Sequence, residues 1–221
     1  MRKHDNKKDG GKKKVKIIEQ SLLYVRTIGA YCCAGTLAWD YYRSYKDYSF
    51  DSLSSFAIWT LFIHFIYFQL PLKSRALAYF HPVSFTGSIV CPVSYAYLLV
   101  CKPSIEEDHM NQWDLTKNVI WTRSFLIHLA PFLFHILDIN ANQVTLINIY
   151  KMKSKNTIIL WSLIAYGIFG LIYLLVYPDN EDIMGLQGIT TRDYLWGDKA
   201  ISLLASIFAF LLLYMMILRK A

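Results

Sequence analysis

The sequence predicts an all-α polytopic membrane protein, a bundle of six transmembrane helices with both termini in the cytoplasm. Of its 221 residues, 55% are hydrophobic and 18% are charged, which is too apolar for an ordinary soluble domain. The apolar residues are concentrated in six runs of 18 to 21 residues, the length that crosses the roughly 30 Å hydrocarbon core of a bilayer as a helix. The runs cover residues 21–39, 53–70, 82–101, 119–139, 157–177 and 200–218.

The uneven distribution of basic residues predicts how the spans are oriented. With the N-terminus in the cytoplasm, the loops and termini on that side carry 15 Lys and Arg, whereas the three opposite loops carry six. Short loops rich in Lys and Arg remain on the cytoplasmic side of a membrane. The sequence therefore predicts that both termini are cytoplasmic. We expect the protein in the endoplasmic reticulum or another endomembrane, with the plasma membrane as the alternative.

The chain divides into a short tail and one membrane domain. Residues 1–16 are polar, rich in Lys and interrupted by glycine, which predicts a basic, disordered cytoplasmic tail. Residues 17–221 contain all six spans. A Lys-rich tail beside a span is typical of an orientation signal with some attraction to anionic lipid, so no nucleic-acid partner is expected. The first span is expected to act as an uncleaved anchor, because no small-residue cleavage site follows a short apolar core.

Each span has local features that fit a membrane helix. The first span carries Arg26 near its cytoplasmic end, where a long side chain can reach the interface. The second span holds Thr60 and His64, which are four residues apart and share a helix face. In the third span, Pro82 and Pro92 are expected to kink the helix. The fifth span is mostly apolar and contains two glycines suited to helix packing. The sixth span is almost wholly apolar.

The fourth span differs from the others because ionisable groups occur along its whole length. Residues 119–139 include Arg123, His128, His135 and Asp138. A charged group at the membrane centre costs roughly 2.5–3.5 kcal/mol on insertion scales, so such groups normally face a protein interior or a wet cavity. His128, His135 and Asp138 lie at i, i+7 and i+10, on one face of a helix. This spacing predicts a polar seam that faces the inside of the bundle.

Thr60 and His128 are predicted to lie at similar depth on neighbouring spans. Both are about 10–14 Å below the outer surface at a rise of about 1.5 Å per residue. A hydroxyl needs a base to act as a nucleophile, and histidine is suited to that role near neutral pH. Thr60 and His128 are therefore the predicted catalytic pair, unless Thr60 merely bonds the carbonyl four residues earlier in its helix.

Four residues are candidates for supporting that pair. His64 or His135 could bond an oxyanion or orient a partner. Asp138 and Arg123 are the charged groups of the fourth span and are candidates for the same supporting role.

Three short motifs occur in order along the chain. They are Phe56, Trp59 and Thr60 followed by Tyr67-Phe68, then His128 and Asp138 with Pro131 between them, and then Val176-Tyr177-Pro178. Together with the six-span layout they resemble the androgen-induced-gene family over roughly residues 50–196. The resemblance implies a membrane hydrolase of fatty-acid esters of hydroxy fatty acids that uses an intramembrane Thr and His, with His128 as the base. Counted back from Tyr67-Phe68, however, the family's threonine falls on Ala57, so either Thr60 replaces it or the nucleophile is missing.

Two functions remain open on the sequence. The first is a lipid-ester hydrolase that takes its acyl-ester substrate from the bilayer. The second is a non-catalytic bundle that binds a lipid or forms part of a larger membrane complex, which Ala57 at the expected nucleophile position favours. A transporter is less favoured, because only the fourth span is rich in charge and no inverted repeat with broken helices is visible.

No cofactor or metal is expected from the sequence. No span has the His-x-x-x-His spacing of a zinc site, and the four cysteines lack metal-ligand spacing. The cysteines are interpreted as small buried apolar residues, with a disulfide between the outer ends of the first and third spans left as an alternative.

Overall fold

The structure, a computed structural model, describes residues 5–46, 56–72, 74–151 and 191–220, together with four pairs of residues between 156 and 168. Throughout these residues the regular secondary structure is helical and no β-strand occurs, as the sequence predicts. Apart from the pairs between 156 and 168, the described residues form six helices. They are α1 (Asp5–Lys46), α2 (Phe56–Gln69), α3 (Leu77–Cys101), α4 (Ile105–Trp113), α5 (Lys117–Lys151) and α6 (Thr191–Leu213), and α6 continues as a π-helical turn at Tyr214–Leu218.

Three helices among the described residues are long and apolar enough to cross a membrane. They are Leu77–Cys101, Lys117–Lys151 and Gly197–Leu218, which contain the third, fourth and sixth predicted spans. The second predicted span corresponds to a shorter apolar helix, Ala57–Gln69. The first predicted span lies within α1, and most of the fifth lies outside the described residues. By the length and composition of these helices, the chain is a helical membrane protein.

Helix α1 is 42 residues long and extends further toward the N-terminus than the predicted span. It includes residues 5–16, where the sequence predicts a disordered tail. A helix that is already nucleated adds residues at little further cost, and Lys has a favourable helix propensity. These two effects account for a helix that continues through Gly10 and Gly11.

The order of contacts along the helices shows that neighbours in sequence pack antiparallel. His64 of α2 contacts Ser84 of α3, and Thr60, one turn earlier in α2, lies beside Gly87, about one turn later in α3. Likewise α3 and α5 meet at Ser84 with His135 and, further along α3, at Tyr95 with His128. Side chains that approach in this way line the interior of the bundle.

The bundle has two ends that can be named by the residues they carry. The Tyr150 end carries Leu70, His81 and Tyr150, where α2 finishes, α3 begins and α5 finishes. The Asp40 end carries Asp40 of α1 and Arg123 near the start of α5, which form an ion pair with a nitrogen–oxygen distance of 2.7 Å. The three largest fully buried side chains pack against the ring of His81 near the Tyr150 end. They are Tyr67, Tyr150 and Phe85.

A π-helical turn at Phe125–Leu129 interrupts α5 just before Pro131. The N–H of Ala130 donates to the carbonyl of Phe125, five residues back instead of four. Proline lacks an N–H and its ring presses on the carbonyl four residues earlier, so a wider turn relieves the strain. Because a π-turn inserts one residue into the helical repeat, residues before and after it no longer share the face that an unbroken α-helix would give them. The face predicted for His128, His135 and Asp138 is therefore broken between His128 and His135.

Candidate functional site

A buried serine lies between two histidines in the middle of the bundle. The Oγ of Ser84 on α3 is 2.7 Å from Nδ1 of His64 on α2 and 2.8 Å from Nε2 of His135 on α5. The residues are 0%, 1% and 0% exposed, respectively. At about 1.5 Å per residue, Ser84 is about 10 Å along α3 from its first residue at the Tyr150 end. The cluster therefore links α2, α3 and α5 at a point that is buried away from solvent.

The number of protons in this cluster limits how its hydrogen bonds are arranged. Ser84 has one O–H to donate, and each neutral imidazole carries one N–H. If Ser84 donates to Nε2 of His135, then Nδ1–H of His64 donates to the serine oxygen. In this arrangement His135 is a proton acceptor for the hydroxyl, and His64 is a donor to the same oxygen. This is the pairing of hydroxyl and base that nucleophilic catalysis requires.

Aromatic rings hold His135 in place. The ring of Tyr67 stacks on it with centroids 4.7 Å apart, and the ring of Phe68 lies 5.1 Å away. Phe85 meets it edge-on at 6.0 Å. Interiors packed at this density leave a ring of this size little freedom to turn. His135 is thus fixed with Nε2 directed at Ser84.

One helical turn further along α5, Asp138 is the centre of a buried ion pair. Nη1 of Arg26 lies 2.7 Å from Oδ2 of Asp138, the hydroxyl of Tyr67 donates to the same oxygen, and Nδ2 of Asn142 is 2.5 Å from Oδ1. Nη2 of Arg26 also donates to the backbone carbonyls of Tyr67 and Leu70 at the end of α2. The Tyr67 carbonyl also accepts from the backbone N–H of Leu70, so the arginine adds a link from α1 to the last turn of α2.

His81 and Tyr150 form a second polar contact close to the Tyr150 end. Nδ1 of His81 is 2.9 Å from the hydroxyl of Tyr150, and both side chains are fully buried. Within the described residues, Nε2 of His81 and Nδ1 of His135 have no hydrogen-bond partner. A buried polar group left without a partner costs about 1–3 kcal/mol. Two such groups in neighbouring rings are an unusual concentration of unsatisfied polarity for a packed interior.

Thr60, the predicted nucleophile, faces α3. Its side chain is 1% exposed, lies against Gly87 and is hydrogen-bonded to Cys91. The hydroxyl of Thr60 therefore links α2 to α3 through Cys91. Ala57, the alternative position for the nucleophile, is partly buried against the core.

Replacing Gly87 by alanine is expected to destabilise the protein by about 1–3 kcal/mol, the usual cost of overpacking a core. A Cβ at this position would overlap Cγ2 of Thr60, so α2 and α3 would have to move apart. The measurement is denaturant unfolding of the purified protein in detergent. Thr60→Ser removes Cγ2 and should restore most of the loss in the double variant. Gly35→Ala in α1 is the matched control, since nothing lies within 4 Å of the added Cβ; equal losses at both glycines would contradict the close approach.

His128, the predicted base, lies toward the Asp40 end of the bundle. Its ring is half-buried and stacks on Tyr95 with centroids 4.0 Å apart and planes 7° from parallel. The hydroxyl of Tyr95 contacts Glu106 and the Oγ of Ser124. Gly87, beside Thr60, and Tyr95, beside His128, are roughly 12 Å apart along α3. The structure therefore does not bring Thr60 and His128 together as the nucleophile–base pair that the sequence predicts.

The four predicted supporting residues divide between the two ends. His64 and His135 meet at Ser84, with Asp138 next to them through Tyr67. Arg123 lies instead at the Asp40 end, paired with Asp40. Ser84 is not among the site residues that the sequence predicts. The antiparallel register of α2 and α3 pairs it with His64, and no sequence motif signals that pairing.

Metal-binding and disulfide chemistry can also be compared with the structure. No group of three or more His, Cys, Asp or Glu that could hold a metal ion occurs within the part of the chain that is described. All four cysteines are free thiols, so the disulfide considered between the first and third spans is not formed.

The chain was compared with family models, with curated proteins and with solved structures. None of them matches. The chemistry of the Ser84 cluster and the resemblance of the short motifs are therefore the two features that bear on the function of this membrane protein.

Proposed function

We propose that the protein is an integral membrane hydrolase of fatty-acid esters, of the hydroxy-fatty-acid ester type, with Ser84 as the nucleophile and His135 as the base. The observation that carries the proposal is the 2.8 Å contact between Oγ of Ser84 and Nε2 of His135. It supplies the hydroxyl–imidazole pair that Thr60 and His128 do not form. The acyl ester is an apolar substrate dissolved in the bilayer, which suits a site surrounded by membrane helices.

The proposed reaction has two steps that share the same base. Ser84 Oγ attacks the ester carbonyl while His135 accepts its proton and then returns it to the departing alkoxide, which leaves as the alcohol. Water then attacks the acyl-serine, and His135 takes the water proton and returns it to Ser84 as the free fatty acid leaves. Nδ1–H of His64 donates to the serine oxygen and keeps it aligned between the two rings.

We further infer six spans, both termini in the cytoplasm and a location in the endoplasmic reticulum or another endomembrane. Fifteen of the basic residues fall on the side assigned to the cytoplasm. The antiparallel order of α1, α2, α3 and α5 supports alternation of the spans across the bilayer, because a short loop joining two spans reverses the chain direction. In this orientation the Tyr150 end is cytoplasmic.

A non-catalytic role is the second candidate, and the complete burial of the cluster favours it. Ser84, His64 and His135 are at most 1% exposed, so helices must separate before an ester can reach the hydroxyl. A hydrogen-bonded polar network inside a bundle can instead select one helix register, as buried polar groups do in some helical proteins. The protein would then bind a lipid or act as a subunit of a larger membrane complex.

A fluorophosphonate probe, which labels activated serine hydroxyls, distinguishes the two candidates. The full chain, purified in detergent, is expected to be labelled, and Ser84→Ala should lose the label. Thr60→Val, which removes a hydroxyl and retains the shape, should keep it. If Thr60→Val loses the label, Thr60 is the nucleophile. A folded protein that takes no label would support the non-catalytic candidate.

A further inference from the structure

We propose that a buried water molecule bridges His81 Nε2 and His135 Nδ1, and that His81 positions His135 through this water. The binding site for the water depends only on the structure. The positioning role rests on the proposed function, because it concerns the base that activates Ser84. The water would be the third member of a nucleophile–base–orienting group, the arrangement that activated hydroxyls commonly require.

The two nitrogens that would hold the water cannot find partners by turning their rings. His135 is fixed at its other nitrogen by Ser84, and His81 is fixed at its other nitrogen by Tyr150. Both rings are 0% exposed, and both nitrogens lack a partner within the described residues. Rotating either ring would exchange one unsatisfied group for another. A ligand between them satisfies both without moving any helix.

The separation of the rings suits a single water. Their centroids are 6.2 Å apart and their planes are inclined at 55°. Two hydrogen bonds of about 2.8–2.9 Å that meet near a tetrahedral angle on one oxygen join atoms about 4.5–5 Å apart. Because the nitrogens lie at the edges of the rings, centroids 6.2 Å apart allow the two nitrogens this separation. Internal waters of this kind usually serve polar groups that would otherwise be unsatisfied. Tyr67 and Phe85 flank both histidine rings and would enclose the water.

The hydrogen bonds form a consistent chain from the serine to the Tyr150 end. Ser84 donates to Nε2 of His135, so Nδ1 of His135 carries the proton and donates to the water. The water donates to Nε2 of His81, whose Nδ1–H then donates to the oxygen of Tyr150. Each neutral imidazole in this chain donates once and accepts once. The same chain keeps Nε2 of His135 unprotonated and directed at Ser84, which is the form that a base needs.

A high-resolution structure of the full chain tests the water site without any assay of activity. We expect a density peak within hydrogen-bond distance of both nitrogens in the wild-type protein. The peak should be absent or lose one contact in His81→Phe and should remain in His81→Gln, since the glutamine amide places a polar group close to the position of Nε2. The proposal would be overturned if the map shows no such density peak and each of the two nitrogens contacts another protein atom instead.

The positioning role is tested by kinetics on a fatty-acid ester of a hydroxy fatty acid. His81→Phe should lower kcat roughly 10–100-fold with KM unchanged, by analogy with the loss of a group that orients a metal-binding imidazole. His81→Gln should recover most of the rate, which a purely structural loss would not allow. Equal and normal kcat in both variants would overturn the role of His81. If the wild-type protein neither turns over ester nor reacts with the fluorophosphonate, the proposed function fails, and the density peak alone then decides the water site.

Discussion

Asp138→Asn is expected to destabilise the protein by about 3–5 kcal/mol, the usual loss when one partner of a buried ion pair is removed. The side chains of Arg26 and Asp138 are 3% and 0% exposed, so asparagine would leave a buried guanidinium without its counter-charge. Arg26 also holds the carbonyls of Tyr67 and Leu70 at the end of α2. A displaced Arg26 would weaken the contacts of α1 and α5 with the end of α2. The measurement is denaturant unfolding in detergent, followed by circular dichroism.

Two variants show whether the loss comes from the isolated charge. Replacing the pair together, with Arg26→Met and Asp138→Leu, removes both charges and should recover a large part of the stability. Asp40→Asn is the matched control, because its partner Arg123 is 12% exposed and so is less completely buried than Arg26 at 3%. It should lose clearly less than Asp138→Asn. Equal losses at Asp138 and Asp40, or a double variant no better than the single one, would contradict this explanation.

Ser84→Ala is expected to lower the turnover of fatty-acid esters roughly 10⁴-fold or more, as removal of a catalytic nucleophile does in serine hydrolases. The hydroxyl is the atom that would form the acyl-enzyme, and the neighbouring histidines cannot replace it. The loss should appear in kcat. The free energy of unfolding should fall by only about 1–3 kcal/mol, because two imidazole nitrogens lose a hydrogen-bond partner. Turnover is measured by release of fatty acid from the ester by purified protein.

Ser88→Ala provides the matched control on the same helix. Ser88 is as fully buried as Ser84 and lies four residues further along α3, but its Oγ donates to the carbonyl of Phe85 in its own helix. This variant should keep wild-type turnover. If Ser84→Ala also keeps it, Ser84 is not the nucleophile; if both variants lose it, the effect reflects a disturbed helix and not the chemistry of Ser84.

The interior position of several polar residues could be predicted from the sequence. His64, His135 and Asp138 lie in apolar spans, where the cost of exposing an ionisable group to lipid directs it toward other helices. The structure places all three in the bundle interior. The same argument does not say which polar group will meet which, because several helix rotations and vertical shifts can bury the same residues. Equal depth predicts a pair of Thr60 and His128, but depth alone does not establish contact.

Two features of the tertiary structure separate the predicted pair and assemble the Ser84 cluster. The π-helical turn at Phe125–Leu129 adds a residue to the repeat of α5, so His128 no longer shares the face of His135. The close approach of α2 to α3 at Gly87 turns Thr60 toward α3 and brings His64 opposite Ser84. A period of 3.6 residues predicts faces only for an unbroken helix. The hydroxyl beside the imidazoles therefore comes from α3, a helix whose sequence shows small residues and no catalytic motif.

The sequence by itself determined that the chain is helical and that its long apolar helices suit a membrane, because both depend on composition and on the length of runs along the chain. It also determined which residues are costly to expose to lipid. Only the tertiary structure decided that Ser84, His64 and His135 share hydrogen bonds and that Arg26 meets Asp138. Such contacts depend on helix register at the scale of a few ångströms, and register is set by packing across several helices at once. No single segment contains that information.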